Sequence, residues 1–148
     1  MVQYSDEDLI EAPREVVWKL LEEHHDDTRI SAIHPLILSQ KTVRRTEGEI
    51  LVDRVIDVSR KPKMSRWRIT FDRLERYRWE VLESEGPWAS GTYLELTYAD
   101  APKATRVAAR GALTVLGLPF FLSQERAVRS ALTDLRTEDV WYLRRYRY

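Results

Sequence analysis

The sequence predicts an α+β fold in which an antiparallel sheet is followed by one long C-terminal helix. Three observations predict it. A strand passes directly into a helix at Ala12-Pro13, and alternating apolar and polar residues run from Ile37 to about Leu116. A helical pattern without further glycine or proline then follows Pro119.

The first helix is predicted within the segment DLIEAPREVVWKLL, which spans Asp8 to Leu21. Pro13 suits the first helical position, because its missing N–H is not needed there and its φ is already helical. Val17 and Leu21 then repeat at helical spacing on an apolar stripe. A strand therefore leads into a helix with almost no loop between them.

A second short helix and a run of about six strands are expected next. Pro35 should end that helix, because it forces His34 out of the α region. Turn residues then separate segments with one apolar and one polar face, as in antiparallel sheets with one solvated side. The predicted strands cover residues 37–46, 50–58, 64–72, 77–81, 90–98 and 106–115.

The chain from Leu118 to Tyr148 predicts the closing helix, with Pro119 near its start. Its apolar stripe repeats at helical steps, and two acidic residues interrupt it. The residues on this stripe are Phe121, Glu125, Val128, Leu132, Leu135, Asp139 and Tyr142.

Composition limits the possible partners and compartments. The 148 residues correspond to one ordinary domain, so we expect a single domain over residues 1–148. Lysine plus arginine and aspartate plus glutamate number 24 each, which removes the overall field that attracts nucleic acid, so no nucleic-acid partner is expected. Without cysteine, a basic leader or a long apolar run, the sequence favours a cytoplasmic protein without a membrane span, for which transient membrane contact stays open.

This order of elements resembles the START and birch-allergen-like superfamily, also called SRPBCC or the polyketide cyclase/dehydrase and lipid-transport clan. The resemblance rests on EAPREVVWKLL after the first strand, His34-Pro35 before the second, Gly86-Pro87 between later strands and the closing amphipathic helix. It implies a helix-grip fold, in which a curved antiparallel sheet of six to seven strands wraps around the terminal helix. An apolar cavity is expected between the two.

The resemblance implies three alternative functions. Members of this superfamily bind lipids, quinones, sterols, polyketides or plant hormones, so we expect binding or transport of an apolar small molecule. A cyclase or dehydratase acting on a hydrophobic substrate is the first alternative, and a protein-interaction module related to co-chaperones is the second. We expect a carrier rather than an enzyme, and no cofactor. The sequence contains no glycine-rich phosphate loop, no G-x-S-x-G and no H-E-x-x-H motif, which counts against hydrolases, NTPases and zinc proteases.

The candidate ligand-binding residues are those expected on inward faces. Aromatic side chains on these faces favour a flat apolar ligand, although they could equally be plain core. A charged residue within an apolar stripe either forms a buried ion pair, such as one between Arg54 and Glu125, or anchors a polar group of the ligand. The full set is His34, Arg54, Trp67, Phe71, Trp79, Tyr98, Phe121 and Glu125.

Histidines supply the remaining candidates. His24 and His25, followed by two aspartates, come nearest to a metal cluster, but neighbouring side chains on a helix point in different directions. We therefore expect a solvated, capped helix end there and no metal site. His34 is either a turn residue bonded to backbone or a proton shuttle at the cavity mouth. If the protein is an enzyme, His34, Glu125 and Asp139 are the candidate acids and bases.

Overall fold

The computed structural model describes residues 1–146 and confirms the predicted α+β architecture. Among these residues, seven strands form one sheet, two short helices follow the first strand, and a long helix closes the chain. The strands are β1 (Val2–Ile10), β2 (Ile37–Thr46), β3 (Glu49–Val58), β4 (Lys61–Asp72), β5 (Arg76–Ser84), β6 (Tyr93–Ala101) and β7 (Ala104–Leu113). The helices are α1 (Arg14–Glu23), α2 (Ile30–Ile33) and α3 (Gln124–Tyr146).

The sheet has the strand order β1-β7-β6-β5-β4-β3-β2, and all neighbouring strands are antiparallel. Each strand from β2 to β6 therefore pairs with the next one along the chain, while β1 pairs with β7 at one edge. The predicted alternation is confirmed in β4 and β5, where Trp67, Ile69, Tyr77, Trp79 and Val81 are all buried. One face of the sheet is thus apolar and must be covered.

Helix α1 covers part of that face and is fixed to it by packing and by hydrogen bonds. The buried ring of Trp18 makes edge-on contacts with Tyr98, Phe71 and Tyr77, at centroid distances of 5.9, 6.1 and 6.5 Å. At the N-terminus of α1, the Arg14 guanidinium donates to the Leu74 carbonyl at 3.2 Å. Pro13 precedes the helix as its N-cap, one residue before the position we predicted.

Helix α3 begins at Gln124. We had expected it to begin near Pro119, five residues earlier. The Gln124 side-chain amide pairs with the Val115 backbone, accepting from the amide at 2.9 Å and donating to the carbonyl at 2.7 Å. This pairing fixes where the helix leaves the sheet, and the Ser123 hydroxyl caps the helix by accepting from the backbone amide three residues further on, at 3.3 Å. The predicted helix end at Tyr148 lies outside the described residues.

The far half of α3 is attached to the N-terminal elements. The Tyr142 hydroxyl donates to the Glu23 carboxylate at 2.8 Å, and Arg136 pairs with Asp8 of β1 at 3.0 Å. Val128 and Leu132 are buried on the inner face, which confirms that part of the predicted stripe. Within residues 1–146, no helix combines the length and the apolar character that crossing a bilayer requires.

Replacing Gly111 with alanine should destabilise the fold more than the same change at Gly117. An alanine Cβ at position 111 in β7 would collide with the Tyr93 backbone carbonyl of β6, which cannot move without disturbing the sheet. At Gly117 the space is open and only the positive φ of 73° opposes alanine. We expect losses of about 2–3 kcal/mol for G111A and about 1 kcal/mol for G117A. Urea unfolding of both variants measures this, and equal losses would contradict the close approach of β6 and β7.

Candidate functional site

A cavity of about 330 Å³ lies between the sheet, α1 and α3. This volume falls in the range of about 300–1,000 Å³ that is usual for small-molecule sites. Most of its wall is apolar, with leucine and valine from α1, leucine and alanine from α3, and both aliphatic and aromatic residues from the sheet. The covered face of the sheet is therefore not packed solid against α3.

Five of the predicted site residues line this cavity: His34, Arg54, Trp67, Trp79 and Tyr98. Trp67 and Trp79 lie with their ring centroids 4.8 Å apart on the sheet side. Trp67 is oriented by its indole N–H, which donates to the Ser65 hydroxyl at 2.7 Å. The structure thus brings these residues to one surface, although they come from five separate segments of the chain.

Phe71, Phe121 and Glu125 do not line the cavity, which corrects their expected placement. Phe71 packs against Trp18, and Phe121 precedes α3 with 77% of its surface exposed. Glu125 is exposed and pairs with Arg129 at 3.4 Å. The reason is local, because Gln124 rather than Glu125 is the residue of the first turn that reaches back to the sheet.

Arg54 places a buried positive charge in the cavity wall. Its residue exposure is only 5%, and its guanidinium lies 4.7 Å from the centroid of the Trp67 ring. Its Nε donates to Gln40 at 2.8 Å, and Gln40 in turn donates to Asp27 at 3.0 Å. Among residues 1–146, no carboxylate lies within salt-bridge distance of Arg54, so the ion pair with Glu125 does not form. Burial lowers the pKa of Arg54 because the charged form loses water.

A cluster of polar side chains lies where α1, α2 and α3 meet at the cavity wall. His24 Nε2 is 2.9 Å from Asp139 Oδ1 and 3.1 Å from His34 Nε2. His34 Nε2 is also 3.0 Å from Asp139 Oδ1, and His34 Nδ1 is 3.1 Å from a Glu138 oxygen. Three side-chain atoms from three elements therefore meet at one point.

Charge complementarity shifts the protonation of this cluster. Burial alone would lower the pKa of His34, but the carboxylates of Asp139 and Glu138 outweigh it and raise that pKa to about 9. Burial would likewise raise the pKa of Asp139, but the two histidines hold it well below its usual range. A proton on His34 and a charged Asp139 therefore stabilise each other.

His25 lies beside this cluster without joining it. Its ring stacks on Tyr77 and Phe71 at centroid distances of 5.7 and 5.4 Å. Residue exposure is 8% for His24 and 4% for His25, so the prediction of a solvated helix end is wrong. The following segment folds back over them, since Gln40 of β2 donates to the His24 carbonyl at 3.1 Å. Burial, helped by nearby positive charges such as those of Arg45 and Arg54, lowers the pKa of His25 to about 3.

Comparison with solved structures settles the fold. The chain superposes on Ara h 8.0201 with a TM-score of 0.73, at 13% identity, over 96% of this chain and 97% of that one. The protein has the helix-grip fold. The helix-grip chain is also similar to the Zhui aromatase/cyclase from a Streptomyces species, with a TM-score of 0.66 at 14% identity over 94% and 88% of the two chains.

A third similar structure is that of a START superfamily protein from Mycobacterium smegmatis. Its TM-score is 0.66 at 10% identity, and the match covers 95% of this chain and 98% of that chain. No protein-family model matches the sequence, and no curated protein matches it either. At these identities the likeness establishes the fold, while the site has to be argued from the residues of this chain.

Sequence reasoning missed several residues of the helix-grip cavity. Tyr77 and Trp88 line it, with Trp88 centred 5.9 Å from Trp79. The alternation placed Tyr77 on the inner face, whereas Trp88 follows the Gly86-Pro87 turn, where period-two patterning gives no signal. His24 was missed because its partner Asp139 is 115 positions away in the chain.

Replacing His25 with phenylalanine should make the fold less sensitive to acid. The folded pKa of about 3 lies below the unfolded value of 6.5, so between these values the unfolded chain binds the proton and stability falls as the pH falls. Phenylalanine keeps a stacked ring but cannot bind a proton, so it removes this loss of stability at low pH. The stability of H25F relative to wild type should therefore rise by up to about 1.4 kcal/mol per pH unit below pH 6.5.

Urea unfolding of H25F and wild type at pH 7 and pH 4.5 measures this difference. A constant offset between the two proteins at both pH values would show that His25 does not stay neutral in the folded state.

Proposed function

We propose that this helix-grip protein binds or carries an apolar small molecule, of lipid, quinone or polyketide-like character, in the cavity between the sheet and α3. The observation that carries the proposal is the buried guanidinium of Arg54 in an otherwise largely apolar wall. The similar structures support it, since they include a START superfamily protein and an aromatase/cyclase.

The shape of the wall favours a flat ligand. Trp67, Trp79 and Trp88 follow one another along the cavity, with successive centroids 4.8 and 5.9 Å apart. Stacked or tilted aromatic surfaces of this kind bury large apolar area at low entropic cost. Burying an apolar ligand against them gains about 25 cal/mol for each Å² removed from water.

Arg54 gives the ligand a preferred polar group. A buried charge is costly unless it is paired, and Gln40 satisfies only its Nε. A carboxylate or enolate placed in the cavity could accept hydrogen bonds from the remaining guanidinium N–H groups. Such charge-assisted hydrogen bonds are stronger than those between neutral groups. We therefore propose an apolar ligand with one acidic oxygen directed at Arg54.

A cyclase or dehydratase is the second candidate, and one observation favours it. His34 and Asp139 line the cavity as a hydrogen-bonded acid–base pair, in reach of a bound molecule. Glu125 drops out as a catalytic group because it is exposed and outside the cavity. The second candidate requires turnover in addition to binding, so it is distinguished by whether a bound polyketide-like compound is recovered changed or unchanged.

Replacing Arg54 with methionine should weaken the binding of anionic ligands and leave the binding of neutral ligands unchanged. Two fluorescent probes separate these effects, namely anilinonaphthalene sulfonate and its uncharged counterpart N-phenylnaphthylamine. Hydrogen bonds to a charged group contribute about 1.5–3 kcal/mol, so R54M should lose at least about tenfold in affinity for the anion. Its affinity for the neutral probe should stay within about twofold of wild type.

Arg68→Met is the matched control, because Arg68 lies on β4, the strand that pairs with the strand of Arg54, but contacts Glu80 on the outer face. R68M should bind both probes as wild type does. If R54M loses both probes equally, or loses neither, Arg54 does not anchor an acidic group. If wild type binds neither probe, the cavity proposal fails and the protein-interaction alternative takes its place.

A further inference from the structure

Beyond ligand carriage, the cluster at the helix junction has the geometry of a metal centre. We infer that His24, His34 and Asp139 bind one divalent first-row transition-metal cation at the cavity wall. The three facing atoms, two Nε2 and one Oδ1, are separated by 2.9, 3.0 and 3.1 Å. Ligands held about 2.1 Å from one ion at right angles to each other are about 3.0 Å apart, which all three separations match, so one ion fits the three atoms.

The outer nitrogens fix which way both imidazoles are protonated. His24 Nδ1 lies 2.8 Å from the Leu20 carbonyl, which can only accept, so this nitrogen carries the hydrogen. His34 Nδ1 faces a Glu138 oxygen at 3.1 Å and donates to it. In neutral rings, both Nε2 atoms therefore present lone pairs towards each other and towards Asp139.

Protons alone do not satisfy this triangle. One proton on His34 Nε2 can form hydrogen bonds to Asp139 and His24. It leaves the lone pair of His24 Nε2 only 2.9 Å from the Asp139 oxygen, so two acceptors face each other without a hydrogen between them. A proton on each ring instead sets two N–H donors 3.1 Å apart. A cation between the three atoms is attracted by all of them and removes both conflicts.

The surroundings match those of known metal centres. Metal-binding histidines commonly donate their other N–H to a carboxylate or a backbone carbonyl, as His34 does to Glu138 and His24 to Leu20. The donor set of two imidazoles and one carboxylate suits Zn²⁺, Fe²⁺ or Co²⁺ better than Mg²⁺ or Ca²⁺.

The site opens onto the cavity, which both histidines and Asp139 line. Three protein ligands leave at least one coordination position for water or for an oxygen of a bound molecule. Tyr77 and Tyr98 line the same cavity. Burial raises the pKa of both hydroxyls, and the negative charge of Asp139 adds to this effect. The binding of the metal itself does not require the proposed ligand.

The test titrates chelator-treated, full-length protein with Zn²⁺ by calorimetry and with Co²⁺ by visible absorption. We expect one Zn²⁺ per chain and cobalt d–d bands that Zn²⁺ displaces. The chain has three histidines and no cysteine, so few competing sites exist. Substituting either His24 or His34 by alanine should lower Zn²⁺ affinity at least about a hundredfold, since losing an outer partner alone costs about 10- to 100-fold.

Two further variants sharpen the test. Glu138→Gln removes only the outer carboxylate and should cost about 10- to 100-fold in Zn²⁺ affinity. His25→Phe removes the neighbouring histidine that lies outside the triangle and should leave Zn²⁺ and Co²⁺ binding unchanged.

Asp139→Asn keeps the side-chain shape and tests the site if an alanine variant does not fold. The inference is overturned if wild type binds neither metal more tightly than folded D139N, or if H25F loses as much affinity as the other variants. Probe binding by N-phenylnaphthylamine, measured without metal, reports on the cavity separately, so failure of one proposal does not decide the other.

Discussion

The structure depends on holding α3 across the apolar face of the sheet without filling the space beneath it. At its start, Gln124 hydrogen-bonds the backbone of Val115. Towards its end, Asp139 and Tyr142 contact groups of the N-terminal helices. Between these attachments the helix presents small or aliphatic side chains such as Ala131 to the cavity. A helix fixed near both ends can span an open space that packing alone would tend to close.

The same attachments create the chemistry of the cavity. The polar contacts that hold α3 place two histidines and a carboxylate at its wall, while Arg54 contributes a charge from β3. Both polar features face an enclosure of aliphatic and aromatic side chains, where a low dielectric strengthens electrostatic interactions. An apolar ligand with an acidic oxygen and a metal cation would therefore use different parts of one site.

The alternation of apolar and polar residues, together with the turn residues, predicted most of the fold, because strand faces and turns are encoded within a few residues. The bounds of β2 match the prediction, and the inner face of β4 and β5 was assigned correctly from alternation alone. The start of α3 was missed because helical periodicity extends through Phe121 although the chain is not yet helical there. The cluster of His24 and Asp139 depends on a contact between distant segments, which residue spacing cannot reveal.

The most direct test of the ligand site uses the indole N–H signals of the five tryptophans in a proton–nitrogen correlation spectrum. Trp67, Trp79 and Trp88 line the cavity, whereas Trp18 packs outside it and Trp141 is largely exposed on α3. On titration with N-phenylnaphthylamine, the three cavity signals should shift together with one dissociation constant while those of Trp18 and Trp141 stay in place. Shifts confined to Trp141 or Trp18 would contradict a ligand site between the sheet and α3.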